Sequence, residues 1–209
     1  MDTRQAYNHW ALQYDRNSNK TRDLEAIALR TCLADIHVEN CLEIGCGTGK
    51  NTSWLIERSK HITAVDLSEE MLSRAKEKIT AANVEFIQAD ILLDWSFTHR
   101  TYQLVIFSLV LEHIQHLEPV FSKVGKILDP GGYVYLGELH PYKQYQGSKA
   151  RFETEAGTQV VECFNHHISD FTAAAKKSGL QLVDLNEYFD TENPETVPRI
   201  LTLLFEKVK

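Results

Sequence analysis

The chain has no apolar run long enough to cross a bilayer. Its longest, such as Leu104–Leu111, fall far short of the roughly 18 residues a spanning helix needs. It has no basic excess either: 22 Lys and Arg stand against 29 Asp and Glu, a net charge of −7. Without surplus cations to displace counterions, general nucleic-acid binding is disfavoured. The four cysteines, Cys32, Cys41, Cys46 and Cys163, form no C-x-x-C pair. No metal site is therefore expected, and all four read as reduced, structural thiols. The first residues, Met1–Gln5, show neither the apolar core nor the small-residue cleavage site of a secretory signal. Together these absences lead us to expect a cytoplasmic protein without membrane contact. What is present is ordinary globular composition, 43% hydrophobic and 24% charged. A length of 209 residues suits one elaborated domain, at roughly 150 residues per domain.

Two hydrophobic periods divide the chain. Ala6, Tyr7, Trp10, Ala11 and Tyr14 recur at helical spacing and form one aromatic stripe. A polar gap, Asn17–Lys20, precedes a second helix that should turn Leu24, Ile27, Ala28 and Thr31 inward. Strands and helices then alternate. Strands are expected at Cys41–Ile44, Ile62–Val65, Val84–Ile87, Leu104–Ser108 and Tyr133–Leu136. Helices are expected at Lys50–Arg58, after the N-cap Ser68, and from Pro119 to the stop Asp129-Pro130-Gly131-Gly132. An irregular insert follows, with a hairpin turning near Ala156-Gly157. A helix ending at Gly179 and strands Leu180–Leu185 and Ile200–Lys207 close the chain, with Asn193-Pro194 and Pro198 marking the loop between those strands.

This alternation predicts a Rossmann-like, doubly wound α/β fold: a mainly parallel seven-stranded sheet, an antiparallel last strand and helices on both faces. Residues 1–209 would form one domain. Its parts would be a helical cap (1–35), a ligand-binding half (36–137), an inserted lid (138–168) and a terminal helix with a strand pair (169–209).

Leu42-Glu43-Ile44-Gly45-Cys46-Gly47-Thr48-Gly49 lies where the first strand turns into a helix. In an open α/β sheet that turn borders the ligand crevice, and glycines let a ligand press on the backbone. The spacing is G-x-G-x-G, not the G-x-G-x-x-G that seats a pyrophosphate on a helix N-terminus. Glu43 beside the loop would repel pyrophosphate and suits a cationic amine or sulfonium. Asp66 ends the second strand, 17 residues after Gly49, where a carboxylate can accept both hydroxyls of a ribose. Asp90 ends the third, where it can take the exocyclic amine of adenine or serve as a turn aspartate. Leu67 and Met71 can sandwich the purine, although Met71 equally suits the core.

Five segments in order carry a family likeness: Glu43–Gly49, Val65–Ser68, Ala89-Asp90, Phe107–His113 and Leu128–Gly132. They resemble the motifs of class I S-adenosylmethionine-dependent methyltransferases, nearest the ubiquinone/menaquinone and biotin-pathway branch. The likeness covers roughly residues 38–137 well. It implies S-adenosyl-L-methionine as cofactor and S-adenosyl-L-homocysteine as product. Gly45, Gly47 and Gly49 would line the methionine and ribose portion, with Glu43 orienting the amino end. Asp66, Leu67 and Met71 would hold the ribose and cover the adenine; Asp90 and Ile91 would read its edge. Ser108 would offer backbone to the cofactor amine and Leu109 would line the transfer channel. The N-terminal helix would close over the cofactor.

Transfer from a sulfonium chiefly requires alignment and exclusion of water. A base is needed only where the acceptor must lose a proton. Candidates at the sheet's C-terminal edge are His113, Glu138 and His140, each also readable as a hydrogen-bonded structural residue. Substrate contacts are expected from Tyr7, Trp10, Tyr14, Tyr145, Lys149, Arg151 and His166. The basic insert favours a small carboxylate or phenolic acceptor, met by a monomer or homodimer. The alternatives are a sensor or assembly module that binds cofactor without turnover and, less favoured by the loop spacing, a nicotinamide-dependent reductase.

Overall fold

The computed structural model describes residues 2–154, 157–191 and 196–208. Helix α1 (Thr3–Tyr14) is capped by Asp2, whose carboxylate accepts the Gln5 N–H. Helix α2 (Lys20–Cys32) is capped by Asn19, which accepts from Thr21 and Arg22. The polar gap of the sequence thus supplies a cap, as Asn side chains do at free helical N–H groups. The alternating region follows: β1 (Val38–Ile44), α3 (Lys50–Leu55), β2 (Ser59–Asp66), α4 (Glu69–Lys78), β3 (Val84–Gln88) and β4 (Tyr102–Ser108). A single 3-10 turn (Leu111–His113), α5 (Leu117–Ile127) and β5 (Leu128–Leu139) come next. The insert holds α6 (Pro141–Tyr145) and the hairpin β6 (Arg151–Thr154) and β7 (Gly157–Val160); α7 (Ile168–Lys177), β8 (Leu180–Tyr188) and β9 (Ile200–Lys207) complete the fold. Ala156, Asn193 and Pro194 lie outside the described residues.

The seven strands run in the order β3-β2-β1-β4-β5-β9-β8. Pairings are parallel from β3 through β5, and β9 is antiparallel to both β5 and β8. The last strand therefore slots between β5 and β8 instead of extending the edge. Alternation along β4 sends Val105 and Phe107 into one core with Phe121, Phe171 and Phe205. Leu104 and Ile106 enter the other core with Leu29, Leu55 and Leu72. Helices cover both faces, so the central strands are apolar throughout. The outer strand β8 is exposed from Gln181 to Glu187. No helix among the described residues is long and apolar enough to cross a membrane.

One expected face is rotated. In α2 the buried positions are Glu25, Ala26, Ala28 and Leu29, whereas Ile27 is exposed. A carboxylate occupies the inner face because the sheet presents polar partners there: Asn51 and the hydroxyl of Tyr135.

Candidate active site

The turn after β1 opens onto a cavity of about 520 Å³, within the range of small-molecule sites. Gly45 and Gly47 take left-handed φ of +74° and +54°. A Cβ on Gly45 would lie 2.1 Å from Val110, while one on Gly47 would meet nothing within 4 Å. The Gly47 backbone therefore faces open space that a ligand can use. Asp66 closes this wall: its two oxygens accept the N–H groups of Gly47 and Ser68, each at 2.8 Å. Burial pushes its carboxyl up, opposed by those same backbone bonds. A carboxylate has about four acceptor positions, so lone pairs remain for a diol.

Leu67, Met71, Asp90, Ile91, Ser108 and Leu109 also line the cavity, as the sequence leads one to expect. Asp90 forms a local turn as well, accepting the Leu92 N–H at 2.9 Å. Leu109 is the one non-glycine residue with positive φ among those described, at 56°. Its N–H is tied to the Gly137 carbonyl at 2.8 Å. A left-handed conformation costs such a residue of order 1–2 kcal/mol and clusters at functional sites.

Tyr7 of α1 meets His113 edge-on, and Tyr14 stands beside Tyr7; all three line the cavity. The Tyr7 hydroxyl lies 2.9 Å from His113 Nε2, and His113 Nδ1 lies 2.8 Å from the Glu162 carbonyl. A carbonyl only accepts, so Nδ1 carries the proton and Nε2 presents its lone pair to the cavity. Tyr7 donates to it. Burial raises the Tyr7 hydroxyl well above its usual range. Behind the ring stand Glu112, 3.8 Å from Nε2, and Cys163, 3.8 Å from Nδ1. Burial raises the Glu112 carboxyl and, with Glu112, pushes the Cys163 thiol up to about 12. Glu112, His113 and Cys163 are the metal-ligand types gathered within 4.8 Å among the described residues. Both ring nitrogens already have partners and the thiol is held protonated.

Other expected site residues are placed elsewhere. Glu43 lies behind the loop, accepting the Thr52 hydroxyl at 2.5 Å; burial pushes it up to about 8. Gly49 packs on α4, where a Cβ would strike Ile79 at 2.6 Å. Glu138 accepts the Val110 and Leu111 N–H groups at 3.1 and 2.9 Å, bracing the turn that carries His113. Burial pushes it, too, up to about 8. His140 caps α6: Nδ1 accepts the Tyr142 N–H and Nε2 donates to Glu187 at 2.9 Å. Both nitrogens are spent outside the cavity. His166 donates to the carbonyls of Ile114 and Leu111 at 2.8 and 3.2 Å. Trp10 stacks on Phe152 at 5.3 Å and belongs to a small core with Met71. Tyr145 bonds His167 at the surface, and Lys149 and Arg151 are exposed and off the cavity. Conversely Arg4, Gln115, Glu162 and Phe164 line it without a motif to announce them.

The family profile described as "Methyltransferase domain" matches residues 41–132, from β1 through the start of β5. That stretch contains the loop, Asp66, Asp90 and His113. The chain contains an S-adenosylmethionine-dependent methyltransferase domain. An uncharacterised methyltransferase of Emericella nidulans is 24% identical over 89% of this chain and 78% of its own. A ubiquinone biosynthesis O-methyltransferase of Hydrogenovibrio crunogenus is 28% identical over 70% of this chain and 64% of its own. This methyltransferase thus spans less than two thirds of that relative. Among solved structures, the complex of DhpI with S-adenosylhomocysteine superposes with TM-score 0.77 at 24% identity, covering 98% and 94% of the two chains.

Proposed function

We propose that this methyltransferase alkylates a protic oxygen of a small acceptor, a phenol ahead of a carboxylic acid, with His113 Nε2 as the base. The observation that supports it most is the Tyr7 hydroxyl resting on Nε2 at 2.9 Å, with Nδ1 anchored on Glu162. A phenol already occupies the position an acceptor hydroxyl would take. When bound, S-adenosylmethionine supplies a methyl on cationic sulfur, which leaves as a neutral thioether. Asp66 would hold the ribose hydroxyls; Leu67 and Met71 would flank the base, with Asp90 and Ile91 at its edge. Gly45, Gly47 and Ser108 would border the methionine portion. His113 accepts the proton the acceptor loses, and Glu162 steadies the resulting imidazolium through Nδ1–H. Tyr7 and Tyr14 keep water out.

Cavity charge supports a phenol over a carboxylate. Asp2, Asp66 and Asp90 line it against a single guanidinium, Arg4. Lys149 and Arg151, the insert's basic residues that favoured a carboxylate, do not line it. The cavity must hold cofactor and acceptor together, which argues for a small acceptor. The test is transfer of labelled methyl to a panel of phenols, carboxylic acids and amines. Phenols should be labelled, and His113→Gln should lower turnover about 10²–10³-fold while leaving cofactor affinity unchanged. Labelling confined to amines, or full turnover by the variant, overturns the reading. Binding without turnover on the whole panel would point instead to a sensor.

A further inference from the structure

Glu25 is a buried carboxylate that neither the family motifs nor the proposed chemistry uses. It lies on α2, outside the matched domain, and is only 2% exposed. Its partners are neutral. Asn51 Nδ2 donates to Oε2 at 3.1 Å and the Tyr135 hydroxyl donates to Oε1 at 3.2 Å. The same Asn51 amide donates to Ser108 Oγ at 3.1 Å; burial raises the Glu25 carboxyl, and the Ser108, Asn51 and Tyr135 side chains oppose that rise. Burying a carboxylate this way costs free energy that neutral donors recover only in part.

The fold makes room for it. A Cβ on Gly137 would lie 2.5 Å from Glu25 Oε1 and 2.5 Å from the Tyr135 oxygen. Gly137 pairs in register with Ser108 across β4 and β5. A core side chain is forgone so that the carboxylate can sit directly behind the cavity wall. The nearest lysine, Lys50, is turned outward to Asp23 and the Arg22 carbonyl at 2.7 and 3.2 Å. Asn51 Oδ1 is buried without a partner. A second carboxylate, Glu43, stands close enough for Glu25 to raise its pKa. Two buried carboxyls and a free acceptor thus gather behind Ser108 and the first turn of α3, with no cation bonded to Glu25 among the described residues.

We propose that Glu25 is a positioning residue for the α-ammonium end of the cofactor, acting through Ser108 and Asn51. The proposal rests on the cofactor assignment above. The Asn51 amide, itself bonded to the carboxylate, holds the Ser108 hydroxyl, and Ser108 is a residue of the cavity wall. Burial favours the protonated carboxyl, and a cation seated beside Ser108 would favour the carboxylate, so the two are coupled across one residue of protein.

The experiment compares two ligands by calorimetry on the full chain. S-adenosylhomocysteine carries the ammonium; 5′-methylthioadenosine shares its nucleoside and lacks the amino-acid end. Glu25→Gln should weaken the first about tenfold and the second less than about twofold, the scale of one hydrogen bond to a charged group. Ser108→Ala, which leaves α2 untouched, should show the same selectivity and carries the test if Glu25→Gln does not fold. Equal weakening of both ligands, or no change in their ratio in either variant, overturns the proposal. If the unsubstituted chain binds methylthioadenosine and not S-adenosylhomocysteine, the ammonium site is refuted alone. If it binds neither, the cofactor assignment falls with it.

Discussion

Four glutamates among the described residues are buried: Glu25, Glu43, Glu112 and Glu138. Burial raises the carboxyl of each, and for Glu43 and Glu138 the level reached is about 8. A carboxyl whose folded pKa lies above its unfolded value binds more protons in the native state. Its contribution to stability is complete below the unfolded value of 4.5 and is lost as pH rises towards 8. Glu138→Gln keeps the Oε1 acceptor for Val110 and Leu111 and removes the charge. In thermal melts the variant should therefore unfold a few degrees above the parent at pH 9, and the gap should close near pH 5. Parallel melting curves across that window would show Glu138 to be ionised at no cost. At this scale the cavity-lining residues at the strand ends were legible, because a strand end in an open α/β sheet is where ligands meet the chain. The histidines were less so. Nothing in their local sequence separates His113, which faces the cavity, from His140, which caps a helix.

Helix α1 lines the cavity with Thr3, Arg4, Tyr7 and Tyr14, and its attachments are specific. Asp15 follows its last turn and takes hydrogen bonds from Thr48 of the glycine loop at 2.6 Å and Lys78 of α4 at 2.7 Å. Burial alone would raise the Asp15 carboxyl, yet those bonds bring it below its usual range. Asn8 accepts the Ser68 hydroxyl at 2.6 Å, and Arg22 lies 3.9 Å over the Tyr14 ring. Asp15→Ala should free the C-terminal turn of α1, seen as faster amide exchange over residues 10–16. It should also weaken S-adenosylhomocysteine binding several-fold with little change in global melting, as expected for a half-exposed contact. Exchange in α1 unchanged by the substitution would assign the hold to Trp10 and Phe152 instead. Helices α1 and α2 were each legible from apolar spacing and caps. The inward face of α2 was not, because the polar pocket that accepts Glu25 is built by Asn51 and Tyr135, 26 and 110 residues away.

At the scale of the whole molecule, the cavity is lined by α1, by strand ends of the sheet and by Glu162 and Phe164 of the insert, so ligand binding should register as global stability. S-adenosylhomocysteine at about 100 times its Kd should add roughly 2.7 kcal/mol, raising Tm by about 5–10 °C for a chain of this size. Nicotinamide dinucleotides should leave Tm unchanged; a comparable rise with either would refute the reading of the glycine loop. The sequence by itself determined the alternating α/β class and that the glycine loop and the ends of the first strands border a cavity. Those follow from local periodicity and from the rule that strand ends border the crevice. Tertiary structure alone decided that β9 slots between β5 and β8. It alone brought Tyr7 to His113 across 106 residues and Glu162 to the same ring across 49. It also left Lys149 and Arg151 of the insert out of the cavity lining. Such pairings depend on how remote segments pack together, and no local period encodes that.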